Sequence, residues 1–126
     1  MATIKAPSMH DRIYVGAHGN VSMALTNVSL KAAAIGDVVE MVELPIGLSL
    51  TGFRVHTNGL GESVKIDIKS GSDVLAADVD VSGKTDEALV IPPTYNEEKR
   101  VLNVVVKGGK ATGTLQINPE YRVIGY

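Results

Sequence analysis

Three histidines, His10, His18 and His56, are the residues of this 126-residue chain with the most latent chemistry. Gathered by a fold, they would make a zinc site, because neutral imidazole is a common ligand. Their spacings match no local ligand signature, and no H-E-x-x-H pattern surrounds them. They are expected as three unrelated loop or surface residues. Asp67, Asp78 and Asp80 offer carboxylates for calcium, but no EF-hand loop is present. On alternating strands such acids guard sheet faces and edges, which is the role expected here. The mixed cluster Glu97-Glu98-Lys99-Arg100 is expected to solvate a loop.

Nucleophilic chemistry finds no footing. There is no cysteine, no G-x-S-x-G and no serine in a strand-turn-helix elbow. Asn58-Gly59-Leu60-Gly61-Glu62 is glycine-rich, but it lies between two strands, with no helix N-terminus to receive phosphate. A paired-carboxylate glycosidase would need aromatic sugar platforms in a cleft, and the chain holds one Phe and four Tyr. No catalytic, cofactor-binding or metal-ligating residue is assigned, and the chain is not expected to be an enzyme.

Composition narrows the partners. Net charge is −2, with Lys and Arg scattered, whereas a duplex-binding protein concentrates its basic residues on one face. Aromatic residues make up 4% and tryptophan is absent, so stacking platforms for single strands are not expected. No apolar run is long enough to cross a bilayer, and the first residues lack a signal-peptide pattern. Neither nucleic acid nor membrane is expected as a partner, and synthesis in the cytoplasm is expected.

The elements that must position any functional surface are strands. Val64, Ile66 and Ile68 alternate with Lys65, Asp67 and Lys69, which predicts a half-buried strand. Leu102, Val104 and Val106 predict a second, Leu75 to Val81 a third, and Leu115 with Ile117 a fourth. Leu89 and Ile91 mark a fifth, stopped by Pro92-Pro93. Asp37 to Leu44 is apolar on both faces, so it is either a central covered strand or a strand that meets a partner. Leu48 to Thr57 changes phase at Gly52, which predicts a bulge. Turns are expected at Leu44 to Gly47, Asn58-Gly59, Ser70 to Asp73 and Gly108-Gly109. Leu30 to Ile35 allows one helical turn. The pattern predicts an all-β antiparallel sandwich of roughly seven or eight strands.

Residues 1–35 differ in character, and the domain division expected is an N-terminal arm with a possible edge strand over 1–35, then a sandwich over 36–126. The alternative for 1–35 is an ordinary frayed terminus. Ile4, Met9, Ile13, Tyr14 and Val15 are more apolar than a solvated tail and favour the arm.

The stretch Ala34-Ile35-Gly36-Asp37-Val38-Val39-Glu40, then Leu44-Pro45-Ile46-Gly47, then Val55 to Gly61, resembles small capsid decoration or cement proteins of tailed bacteriophages. A turn like theirs follows at Ser70 to Asp73, so the resemblance spans about Ala34 to Val81. It implies a jelly-roll-like sandwich on the outside of a phage head, without an active site. Its partners would be the major capsid protein and further copies of itself, as a homotrimer or homodimer. Other readings are a tail, head-completion or fibre-tip module of a phage, or a carbohydrate- or receptor-binding sandwich. Candidate capsid or subunit contacts are Ile4, Met9, Tyr14 and Met23, with Tyr121 and Tyr126 as second choices, since Tyr and Met favour interface centres.

Overall fold

Ten strands form two five-stranded sheets in a computed structural model, which describes residues 2–13 and 21–124. They are β1 (Thr3–Lys5), β2 (Val21–Met23), β3 (Asn27–Ala33), β4 (Val38–Leu44), β5 (Leu48–Thr57), β6 (Lys65–Ser70), β7 (Asp73–Asp80), β8 (Thr85–Val90), β9 (Arg100–Lys107) and β10 (Ala111–Val123). Sheet A runs β1-β4-β9-β6-β7, and sheet B runs β2-β10-β5-β8 with β3 also on β10. No helix occurs among the described residues. The all-β sandwich read from the alternation is therefore the fold, with more strands than the seven or eight counted. The surplus comes from the short N-terminal strands, which lack a periodic signature.

The predicted alternation does its work between the sheets. Met41, Leu44, Leu102, Val104, Ile66 and Ile68 from sheet A join Leu48, Leu50, Phe53, Val55, Leu115, Ile117 and Tyr121 from sheet B in one buried cluster. Each large aliphatic side chain buried there stabilises the fold by about 1.5–3 kcal/mol.

The two untidy strands both carry bulges. On β5 the register against β10 jumps from Gly52↔Glu120 to Leu50↔Tyr121, leaving Thr51 as the extra residue. Leu48 and Leu50 then share the core face with Phe53 and Val55. Glycine is required at 52 because a Cβ would lie 2.5 Å from the Leu89 carbonyl oxygen of β8. On β4 the register slips between Glu40 and Val42 against β9. One extra residue lets Val39, Met41, Val42 and Leu44, which sit on both parities, all reach the core, while Val38 stays half-buried.

Leu30 to Ile35 does not form the helical turn its composition allows. Residues 30–33 pair with β10 through a bulge, Ala32 takes φ 49°, and the Ala32 amide donates to Thr112 Oγ1. Pairing with a distant strand outweighs a short stretch of helix propensity. On β7, two register shifts break the strict alternation, so Val79 is buried while Ala77 is exposed.

The first described residues join sheet A. β1 pairs in parallel with β4, from Thr3↔Val38 to Lys5↔Glu40. Asp37 anchors this start: its carboxylate accepts from the Ala2 and Ala34 amides, each at 2.9 Å. Those two backbone hydrogen bonds, Ala2 foremost, hold the Asp37 carboxyl below its ordinary range. A depressed folded value stabilises the fold above the unfolded pKa, and the contribution disappears as pH falls through the folded value. The protection of the Ala2 and Val38 amides, taken relative to their intrinsic exchange rates, should therefore fall below about pH 4. In Asp37→Asn that protection should be low at neutral pH already and unchanged across that window.

Candidate binding surface

One end of the sandwich collects polar groups and exposed apolar side chains. The turn between β4 and β5 is its hub. The Gly47 amide donates to the Asn96 carbonyl at 2.9 Å, and the Ile124 amide donates to the Gly47 carbonyl at 2.9 Å. Asn96 is buried, and its side chain donates to the Pro45 carbonyl at 3.4 Å. These bonds hold Ile46, Tyr95 and Ile124 together at the surface, each about two-fifths exposed. Val21, more exposed still, pairs with Arg122 two residues before Ile124.

Beside this patch lies a groove of about 490 Å³ between His10 to Ile13 and the side chains of Glu43, Pro45 and Lys99. The Glu43 amide donates to the Met9 carbonyl at 3.1 Å, which fixes the approach of the N-terminal segment. Glu43 bridges His10 Nδ1 at 3.1 Å and Lys99 Nζ at 2.9 Å. Lys99, and to a lesser degree His10, keep the Glu43 carboxyl below its ordinary range. The arrangement is an open, mixed-charge surface suited to contact with another macromolecule. Among the described residues it encloses no cavity in which a small substrate would be desolvated.

The residues singled out from sequence fall in several places. Ile4 is half-buried on β1, packed against the core. Met9 and Tyr121 are buried within the chain, at 6% and 1% exposure. Met23 is half-buried on β2 opposite Glu120, on the outward side of sheet B. Tyr14 and Tyr126 lie outside the described residues, as does His18. Sequence reasoning did not find Ile46, Tyr95, Ile124 or Val21. An isoleucine at the tip of Leu-Pro-Ile-Gly was a usable signal, since a turn tip has no core to fill.

The other polar groups are engaged separately. His56 Nδ1 sits 2.9 Å from Asp86 Oδ1 across β5 and β8, away from His10 and its Glu43 partner. The Lys107 ammonium bridges Asp67 and Asp78, and Asp80 accepts from the Ser82 amide and hydroxyl. Lys107 lowers the Asp78 carboxyl, and Asp78 in turn raises Lys107. Two of the three aspartates considered for calcium, Asp67 and Asp78, thus take their positive charge from a lysine. Among the described residues no group of three His, Cys, Asp or Glu could hold a metal ion.

No protein-family model matches the chain, and no curated protein matches it. Solved structures do. A chain of the structure titled "Capsid of Ralstonia phage GP4" is 18% identical, with TM-score 0.64 over 98% of this chain and 99% of that one. A chain of "Cyanophage Pam1 capsid asymmetric unit" is 13% identical, with TM-score 0.63 over 93% and 94%. A chain of "Acidic stable capsid structure of Helicobacter pylori bacteriophage KHP30" is 11% identical, with TM-score 0.54 over 86% and 92%. At these identities the likeness is one of fold.

Proposed function

We propose that this chain is a structural virion protein that binds the outer surface of an assembled phage head and cements it. The observation that carries the reading is the end-to-end match of fold with a chain of a phage capsid, spanning 98% of one and 99% of the other. The mechanism is linkage. A protein that binds only the assembled lattice stabilises that lattice by mass action. Each contact need bury only about 800 Å² per partner, and a copy that spans several subunits gains avidity. The partner is the major capsid protein, and the chain associates with itself as a homotrimer or homodimer. The surface built around Ile46, Tyr95 and Ile124 is the first contact region, with Ile4 and Met23 as further contacts and residues 1–35 as the segment nearest the neighbouring subunit.

The test uses purified protein and expanded heads lacking it. Saturable binding to heads but not to free capsid subunits is expected, with hundreds of copies per particle. Heads carrying the protein should withstand several degrees more heating or a chelator challenge. Ile46→Asp combined with Ile124→Asp should weaken binding at least tenfold while the free protein keeps its melting temperature within about 2 °C, because both side chains are surface residues. Binding to unassembled subunits with equal affinity, or heads no more stable with the protein than without it, would refute the proposal.

A further inference from the structure

Sheet edges are templates for another strand unless something blunts them. Three edges of this sandwich are blunted. β1 has only three residues. The β2 and β3 edge is interrupted at Ala24 to Thr26 and bulged near Ala32. β7 carries two register shifts and a left-handed Asp78. β8 is the exception: its six pairs with β5 run from Gly52↔Val90 to Thr57↔Thr85 without a shift. No proline falls within it; Pro92-Pro93 comes after its end.

The free groups on that edge are identifiable. The Ile91 amide donates to the Thr51 carbonyl, and the Leu89 carbonyl oxygen lies against Gly52, so both point toward β5. Backbone groups alternate along an antiparallel strand. Asp86, Ala88 and Val90 therefore direct their N–H and C=O groups outward, where no strand of the described residues lies. Their side chains share the outer face, and Val90 is 90% exposed. Glu87 pairs with Val55 and Leu89 with Phe53, which puts both on the inner face at the rim of the core.

We infer that β8 is a docking edge for an extended strand of a partner protein, one that carries a lysine or arginine opposite Glu87 and an aliphatic residue opposite Leu89. Charge selects this occupant. Asp86 is already paired with His56, whereas Glu87 is exposed and makes no ion pair among the described residues, and an added strand would cover it beside Leu89. A cation on the incoming strand removes that penalty, and an aliphatic neighbour two residues away covers Leu89 on the same face. A second copy of β8 fits badly. Centred on Ala88, it sets Glu87 against Leu89 and Asp86 against Val90, so four carboxylates lose water without gaining a cation. The inference holds whichever assembly supplies the strand, so it can survive failure of the head-binding proposal and can fail alone.

The test uses the full-length protein with two synthetic alternating Thr/Val peptides that differ in one inward position, lysine in one and glutamate in the other. The lysine peptide should slow amide exchange at Asp86, Ala88 and Val90 and bind about fivefold or more tightly than its twin. Glu87→Lys should reverse the preference, a gain that misfolding cannot imitate. Ala88→Pro should abolish protection by either peptide, because it removes an outward N–H. Equal binding of the peptides, absence of protection at those three amides, or concentration-dependent dimerisation that protects them without peptide would overturn the inference.

Discussion

Phe53→Ala is expected to lower the unfolding free energy by about 3–5 kcal/mol and the melting temperature by about 12–20 °C. Phe53 is the one phenylalanine of the chain and is 1% exposed. It sits on β5 between Pro119 of β10 and Leu89 of β8, at the centre of sheet B's inner face. No neighbour can collapse into the vacated space, because β5 is held on both sides by ladders. A domain of this size has only about 5–15 kcal/mol to lose. Phe53→Leu keeps most of the volume and should cost under about 1.5 kcal/mol. Chemical denaturation of the three proteins measures both steps. A loss below 1 kcal/mol in Phe53→Ala would mean that the two sheets do not pack as described.

Gly108→Ala is expected to cost at least about 2 kcal/mol, whereas Gly83→Ala should change stability by no more than about 0.5 kcal/mol. Gly108 lies in the hairpin between β9 and β10 with φ +81°, a region that L side chains avoid. A Cβ there would lie 2.0 Å from the Ser63 carbonyl oxygen, and backbone cannot swing aside. Gly83 has nothing within 4 Å of the same added atom. The pair separates a tertiary clash from the generic effect of replacing a glycine in a turn, and thermal melts of the two variants read it directly.

Much of this fold was legible before any coordinates. The alternation in Val64 to Lys69 and Leu102 to Lys107 marks strands with one wet face, and the structure places them side by side as β6 and β9. The phase change at Gly52 marks a bulge, and a bulge is there. The surface that the proposal rests on was largely illegible. Ile46, Tyr95 and Ile124 are scattered along the chain and carry no shared pattern. Hydrogen bonds through Gly47 and Asn96 bring them together, and such bonds leave no trace in local composition.

Local sequence located the strands from β4 to β10 and, for β5, β6, β8, β9 and β10, which face is apolar, because side chains alternate with a period that neighbouring residues set by themselves. Only the tertiary structure decided what each strand lies against. The mixed apolar faces of β4 are one case: a one-residue slip against β9 turns Val39, Met41, Val42 and Leu44 inward together. The residues from Leu30 to Ala33 are another, drawn into pairing with β10 against their own helix propensity. Register, bulges and free edges belong to pairs of strands far apart in the chain, so their energies appear only when both partners are in place.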